Sequence, residues 1–343
     1  MQQFLQKRVL HLDFERGEIF AKVEGEEGAP TGFEGRLLEA LRFGTATMFW
    51  PVMQETCHDG KIVLELSRHR SSPRGGMIAP PVGRDASGED FYRLLSCYYV
   101  YSCATTDSDA VDPAAPLSKK LAGLYTIKDV WIDSVALLVS VALEATLGES
   151  DFKTIGQPDP AFLKQVDAIL ASVKNTEGVE EDLTKRAIGA LGGLKSSRAI
   201  DKLYFLRSIG AISQTEASSW KSLRDRAAHG SLRIKPKELQ KLIDQIYSTV
   251  SAIYKIAFIQ IGYKGGHTVY SKHGWPMEVF DGLHYKNAIQ AANSPAGQVG
   301  PTQPTQAPGP YLADTSIAAL DATSAALPCS PSQPGSAPQS PGW

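Results

Sequence analysis

The longest apolar pattern in the chain lies between Pro236 and Gly262, where hydrophobic residues recur three or four positions apart. The members of this stripe are Leu239, Leu242, Ile243, Ile246, Tyr247, Val250, Ile253, Tyr254, Ala257, Phe258 and Ile261. Such spacing puts them on one face of a helix, and that face must be covered by other elements. A proline at the first position and a glycine after the last are common helix boundaries. The sequence therefore predicts a long, core-forming helix here.

A helical period begins near Leu117 and continues to the end of this stripe. The apolar residues from Ile127 to Ala145 recur with helical spacing, and most positions between them are also apolar, which predicts a helix buried on most sides. Further helices are predicted over residues 160–173, 180–191, 197–208 and 213–229. The last one opens on a capping box formed by Ser213 and Glu216. Short connections between these helices predict an antiparallel, all-α bundle over residues 117–263.

The residues before this bundle have mixed patterns. Alternating apolar residues predict a hairpin over residues 7–24, and a second hairpin is predicted over 46–55 and 62–66, joined through the turn signal Asp59-Gly60. An amphipathic helix is expected over residues 33–43, whereas the aromatic stretch 91–101 fits a strand or a helix equally well. We therefore expect an α+β N-terminal domain over residues 1–112.

The C-terminal part divides in two by composition. Beyond about Asn293 the sequence is rich in Pro, Ser, Ala, Gln and Gly, which cannot bury a core, so residues 293–343 are predicted to form a disordered tail. Residues 264–292 still carry apolar and aromatic side chains. We expect them to form an extension that packs on the end of the bundle.

Cysteine content and hydropathy limit the location of the protein. The four cysteines contain no C-x-x-C pair, which argues against a disulfide framework or a zinc site and fits a reducing compartment. The start of the chain lacks the basic-then-apolar order of a signal peptide, and no apolar run approaches the roughly 20 residues of a membrane span. We expect a cytoplasmic protein that does not enter a membrane.

Charge is concentrated in one stretch of a chain whose formal net charge is only -2. Between Lys195 and Lys241 there are eleven Lys and Arg residues but four Asp and Glu residues. Such a local excess of positive charge is typical of a surface that binds nucleic acid. The predicted nucleic-acid-binding residues are Lys221, Arg226, Arg233 and Lys235.

The helix that ends at His229 separates apolar from polar positions. At about 100° per residue, Trp220, Leu223 and Ala227 share one face, which we expect to pack inward. The neighbouring face carries Lys221, Arg224, Asp225, Ala228 and His229. The arginine and the histidine therefore border one exposed groove.

The sequence Trp220-x-x-Leu223-Arg224-Asp225-x-x-Ala228-His229-Gly230 resembles the R-x(4-6)-H motif of HEPN domains, and its Ala-His-Gly ending resembles ApeA-type anti-phage members of that family. The resemblance covers residues 117–263, and the β-containing N-terminal half is also similar to ApeA-type architecture. It implies an HEPN-like helical bundle that pairs as a homodimer, with two motifs meeting at the interface.

The resemblance also implies a metal-independent ribonuclease that needs no cofactor. Histidine titrates near neutrality, so His229 can accept a proton from a ribose 2′-hydroxyl or give one to the departing 5′-oxygen. Arg224 would stabilise the oxygens of the phosphorane through charge-assisted hydrogen bonds. Asp225 would orient the site, and Glu144 from an earlier helix is a further polar contributor. The expected products carry 2′,3′-cyclic phosphate and 5′-hydroxyl ends.

Other interpretations fit the same residues. A histidine followed by glycine ends many helices without any catalysis, and R-x-x-x-x-H is a short pattern. A glutamate such as Glu144 in an apolar helix commonly lies at its wet edge. The chain is thus expected to be either an endoribonuclease acting in bacterial defence or as a toxin, with a sensing N-terminal domain, or a non-catalytic HEPN protein that binds RNA or a protein partner.

One aromatic and histidine cluster near the end of the bundle has two interpretations. Its members are His267, Tyr270, His273 and Trp275. These side chains suit stacking on nucleic-acid bases, but they also suit packing of the bundle's end against the first domain.

Overall fold

A computed structural model describes residues 8–15, 18–25, 32–48, 53–58, 61–66, 78–83, 88–106, 114–126, 130–228 and 236–293. This part of the chain is mostly helical and contains two-stranded antiparallel sheets. The predicted tail, His229, Arg233 and Lys235 lie outside the described residues.

The helices are α1 Phe33–Thr45, α2 Gly88–Thr105, α3 Pro116–Tyr125, α4 Ile132–Leu147, α5 Pro160–Lys174, α6 Glu181–Gly192, α7 Ala199–Ser208, α8 Gln214–Ala228, α9 Leu239–Ile261 and α10 Gly282–Asn293. The strands pair as β1 Arg8–Glu15 with β2 Glu18–Gly25, β3 Met53–His58 with β4 Lys61–Leu66, and β5 Lys264–Thr268 with β6 Met277–Asp281. Both predicted N-terminal hairpins are therefore present, although the strand predicted from residue 46 begins only at Met53. The aromatic stretch 91–101 is helical and belongs to α2.

Helix α9 is the centre of the described core, as its apolar stripe predicted. It packs against α8, α4, α2 and α10, and its residues from Ser248 to Ile261 are buried with the exception of Lys255, which is half-buried. None of the described helices is long and apolar enough to cross a membrane.

The helices on either side of residue 112 share this core. Phe43 of α1 stacks on Tyr98 of α2 at 4.7 Å between ring centroids, and its edge meets Tyr254 and Phe258 of α9 at 6.1 and 6.4 Å. Aromatic pairs with these geometries add stabilisation beyond the area that they bury. Helices α1 and α2, which were assigned to an N-terminal domain, are therefore built into the same core as the bundle.

A buried carboxylate caps α3 from another helix. The first residue before α3 is Ala115, which has no side chain that can accept a hydrogen bond. Glu39 of α1 takes this role, accepting hydrogen bonds from the Ala115 amide at 3.1 Å and from the Ser118 hydroxyl at 2.5 Å. Tyr98 shares a 2.6 Å hydrogen bond with Ser118, so one network joins α1, α2 and α3.

Helix α4 departs from its prediction. It begins at Ile132 rather than near Ile127, and the prediction that it is buried on most sides is wrong. Its inner face is buried, but Leu137, Leu138 and Val141 are 47%, 38% and 55% exposed. These three residues, called here the outer stripe, face away from the core because the described helices of one chain cover only the opposite side of α4. The prediction failed because apolar periodicity reports what must be covered and not what covers it.

The segment after α9 returns the chain to the core. Helix α9 ends at Gly262, which adopts a left-handed conformation with φ +67°. Strands β5 and β6 then form a hairpin, and α10 packs on α9. Gly282, the first residue of α10, donates a 2.8 Å hydrogen bond from its amide to the Tyr263 carbonyl, and a Cβ there would collide with the Phe258 carbonyl. The close approach of α10 to α9 therefore requires glycine.

The predicted capping box at the start of α8 is present, and its glutamate also binds residues of α9. The Glu216 amide donates to the Ser213 hydroxyl at 3.1 Å, and the Ser213 amide donates to the Glu216 carboxylate at 2.6 Å. The same carboxylate, fully buried, pairs with Lys255 of α9 at 2.8 Å and accepts a hydrogen bond from Ser251 at 2.9 Å. One residue near the start of α8 thus caps its own helix and ties it to the second half of α9.

Replacing Glu216 with alanine should destabilise the protein by about 3–5 kcal/mol, because it removes the cap and leaves Lys255 without its charge partner in a largely buried place. Urea denaturation followed by circular dichroism measures this loss. The matched control is Glu181→Ala, which removes a carboxylate paired with Lys185 at 2.7 Å but 83% exposed, and should cost no more than about 1 kcal/mol. Equal losses for the two variants would contradict the central role of Glu216.

Candidate functional site

Helix α8 presents the motif residues as the helical wheel predicted. Trp220 and Leu223 are buried at 2% and 0% exposure, whereas Lys221, Arg224 and Asp225 are exposed. The helix extends through Ala228, the residue before His229, which is the histidine of the predicted motif. Lys221, Arg224 and Asp225 are therefore on the surface, and Trp220 and Leu223 anchor the helix to the core.

Arg224 lies at the junction of α8 and α4. Its Nε donates a hydrogen bond to Glu144 Oε2 of α4 at 3.2 Å, and its guanidinium carbon lies 5.8 Å from the centroid of the Trp220 ring. A cation near a tryptophan ring is attracted by the negative potential of the π face. Two neighbours on two helices therefore hold the guanidinium.

Trp220 is itself fixed by α4. Its indole Nε1 donates a 3.0 Å hydrogen bond to the Ser140 carbonyl, a contact buried between the helices. Ser140 and Glu144 are one turn apart on α4, as Trp220 and Arg224 are on α8. A buried contact and an exposed contact between the same two helices thus set the position of Arg224.

Arg224 keeps access to solvent in this arrangement. The side chains of Arg224 and Glu144 are 52% and 48% exposed, and the guanidinium uses only its Nε in the hydrogen bond to Glu144. Guanidinium groups carry five N–H donors, and no described residue accepts a hydrogen bond from the two terminal nitrogens of Arg224. Exposed donors of this kind suit the binding of a phosphate group.

The basic surface is narrower than the sequence count indicates. Besides Arg224, which pairs with Glu144, three of the eleven cations between residues 195 and 241 have partners that engage their charge. Arg198 pairs with Asp201 at 2.9 Å, Lys195 pairs with Asp167, and Lys202 is buried and donates to the Leu147 carbonyl at 2.9 Å. The other cations on α8, Lys221 and Arg226, are exposed and half-buried respectively, and they form no ion pair within the part of the chain that the structure describes.

The structure brings together Arg224 and Glu144, which the sequence analysis gave only as a further polar contributor, and it places Trp220 beside Arg224. Sequence reasoning placed Trp220 only in the core. The signal was its position one turn before Arg224, which allows a ring and a guanidinium to meet on a helix. Asp225 is exposed, and no hydrogen bond joins it to Arg224 within the described residues.

The aromatic and histidine cluster has two buried members, His267 and Tyr270, and two exposed ones. His267 is buried against Phe258 and Phe280, its Nδ1 hydrogen-bonds the Glu278 carbonyl at 2.9 Å, and burial lowers the pKa of its ring. The Tyr270 hydroxyl donates to the Pro80 carbonyl, which ties the cluster to the segment 78–83. Among the described residues no group of three or more His, Cys, Asp or Glu side chains is arranged to hold a metal ion.

No protein-family model matches the chain, and searches of curated proteins and of solved structures found no match either.

The Arg224–Glu144 pair should contribute little to stability because both side chains are half exposed. A double-mutant cycle with Arg224→Ala and Glu144→Ala should give a coupling free energy of about 0.2–1 kcal/mol, falling further at high salt. Thermal or urea unfolding of the four proteins measures it. A coupling well above this range would show that the pair is a structural element of the bundle rather than a surface contact.

Proposed function

We propose that the chain is a metal-independent endoribonuclease of the HEPN type, with Arg224 and His229 as its catalytic pair. The observation that carries the proposal is the position of Arg224: half exposed, held by Glu144 and Trp220, with no described residue accepting a hydrogen bond from its terminal guanidinium nitrogens. His229 follows five positions later in the sequence.

The reaction requires only the groups that two copies of this pair supply. A base removes the proton of the ribose 2′-hydroxyl, whose oxygen attacks the adjacent phosphorus, and the bond to the 5′-oxygen breaks as that oxygen takes a proton. His229 serves one of these proton transfers. Arg224 donates hydrogen bonds to the equatorial oxygens, where negative charge grows in the transition state. The products are a 2′,3′-cyclic phosphate and a 5′-hydroxyl, with no metal or cofactor required.

Glu144 has a positioning role in this proposal. Its carboxylate accepts the hydrogen bond of the guanidinium Nε, which leaves the terminal nitrogens out of this contact. A carboxylate so placed also repels phosphate, and its attraction to Arg224 must be offset when RNA binds. Lys221 and Arg226, which lie on α8 together with Arg224, supply the compensating positive charge.

A second copy of the chain completes the proposed site. One motif supplies one imidazole, whereas the reaction has two proton transfers, so two motifs facing each other would supply both. The outer stripe of α4 supports this arrangement because it is apolar, is uncovered in the described part of one chain, and comes within one turn of Glu144 at Val141. Adjacent exposed apolar side chains of this kind are typical of protein interfaces.

Purified protein incubated with total RNA in EDTA should cleave it, leaving cyclic phosphate ends. Arg224→Ala and His229→Ala should each lower the rate by at least about 100-fold. The matched control is Arg186→Ala, which removes another exposed arginine with a carboxylate partner, Asp182 at 2.9 Å, and should cleave like the wild type.

The outcomes separate two functions of the same surface. Cleavage that persists in both motif variants would contradict the proposal that Arg224 and His229 are the catalytic pair. RNA binding without cleavage, weakened by Arg224→Ala, would instead favour a non-catalytic HEPN scaffold. Expression in bacteria adds the cellular substrate: as a defence or toxin effector, the wild type should inhibit growth and His229→Ala should relieve the inhibition.

Placing a charge in the outer stripe should abolish the homodimer and the activity together. Val141→Glu would bury an unpaired carboxylate in the proposed interface, so we expect a monomeric mass by light scattering and a cleavage rate at least about tenfold lower. The control is Leu183→Glu on α6, where an apolar residue 58% exposed is replaced outside the proposed interface. A wild-type protein that is monomeric and fully active would contradict the shared site.

A further inference from the structure

Trp275 is an exposed aromatic residue resting on two tyrosines. It lies between β5 and β6 and is 52% exposed. Its ring centroid is 5.7 Å from that of Tyr247 on α9 and 5.6 Å from that of Tyr270. We call these three rings the aromatic platform. One of its rings faces solvent while the other two attach it to the core.

The backbone of Trp275 adopts a costly conformation. Its φ is +52°, in the left-handed region that bulky residues rarely occupy, and the following residue is Pro276, which further restricts it. The turn before it ends in Gly274 at φ +78°, and the Trp275 amide donates to the Lys272 carbonyl at 3.1 Å. Such strain at a half-exposed aromatic residue points to a use for the ring beyond packing.

The tyrosines beneath Trp275 are rigidly held. Tyr270 is 5% exposed and its hydroxyl is fixed by the Pro80 carbonyl at 2.5 Å. Tyr247 belongs to α9 and also meets Tyr270, at 6.0 Å between centroids. A platform whose supporting rings are packed on the core loses little conformational entropy when a planar ligand stacks on it.

The charge along the chain favours a nucleic-acid ligand. Tyr247 lies about two turns into α9. Exposed Lys237 lies just before that helix, and exposed Lys241 lies in its first turn. Because Glu216 near the start of α8 meets Ser251 and Lys255, the two helices run antiparallel, and the end of α8 that carries Arg224 lies toward the start of α9. Cations and an exposed aromatic ring are the two components of a single-strand binding surface.

We propose that the aromatic platform binds an unpaired base of the RNA, which stacks on the indole of Trp275. This inference rests on the proposed ribonuclease function and adds a substrate requirement: a single-stranded nucleotide outside the scissile step. Stacking on a ring uses the face that every base shares, so the platform contributes affinity without strong sequence preference.

Binding is tested with the full chain and a fluorescent deoxyoligonucleotide of eight thymidines, which lacks the 2′-hydroxyl and is not cleaved by the proposed reaction. Fluorescence anisotropy should give a dissociation constant at least about tenfold higher for Trp275→Ala than for the wild type. Trp275→Phe, which keeps a stacking ring, should stay within about threefold. Melting temperatures of the variants show whether the fold is retained. If the alanine variant unfolds, Trp275→Leu, which keeps an apolar side chain without a ring and should lose the same affinity, carries the test.

Matched controls distinguish stacking from general loss of an aromatic surface. Tyr204→Ala removes a ring that is 44% exposed and has a cation nearby, Arg207 at 5.9 Å, and should leave binding unchanged. An abasic oligonucleotide of the same length should bind the wild type and Trp275→Ala equally, because only phosphate contacts remain.

Equal affinity of wild type and Trp275→Ala for the thymidine oligonucleotide would overturn the platform. Trp275-dependent binding of a decaproline peptide in place of the oligonucleotide would also overturn it, identifying a peptide-binding surface. If the wild type binds the oligonucleotide through Trp275 but does not cleave RNA, the platform stands and the ribonuclease proposal fails. If Arg224→Ala abolishes cleavage while Trp275-dependent binding persists, both stand as separate steps.

Discussion

The ion pair between Glu216 and Lys255 sits where the motif helix meets the central helix, and the placement of the candidate site depends on it. A fully buried carboxylate is tolerated only when its oxygens are satisfied, and this one is engaged by Ser213, Ser251 and Lys255 together. Those contacts fix α8 along α9. The position of Trp220, and with it that of Arg224, follows from that alignment.

How far the fold could be predicted depended on what each pattern reports. The stripe in α9, the capping box at Ser213 and the inward face of α8 were predicted because they are local: helical spacing and a side chain three residues away determine them. The exposure of the outer stripe of α4 was not predicted, because whether a helix face is covered depends on the neighbouring elements. The same holds for Glu39, whose role as the cap of α3 involves residues that are 76 and 79 positions away.

The candidate site shows the same division. A helical wheel was sufficient to place Arg224 and Asp225 on the surface, and an apolar helix containing one glutamate was sufficient to nominate Glu144. The contact between Glu144 and Arg224 spans 80 residues and depends on how α4 crosses α8, which no local pattern encodes. The charge count also overstated the basic surface, since Lys202 is buried and Arg198 is paired, as only the folded chain reveals.

Helix α4 links the positioning of Arg224 to the proposed pairing with a second chain, because its faces have different roles. Its inner face is part of the core, its edge carries Ser140 and Glu144, which position Trp220 and Arg224, and its outer stripe is left uncovered by the described residues of one chain. An edge that orients a catalytic arginine next to a face that pairs with a second chain would make dimer formation and site assembly one event. The arginine's orientation, however, comes from contacts within one chain. A monomer would therefore retain a correctly placed Arg224 and lack only the second motif, which makes assembly, rather than local folding, the step at which such an enzyme would be controlled.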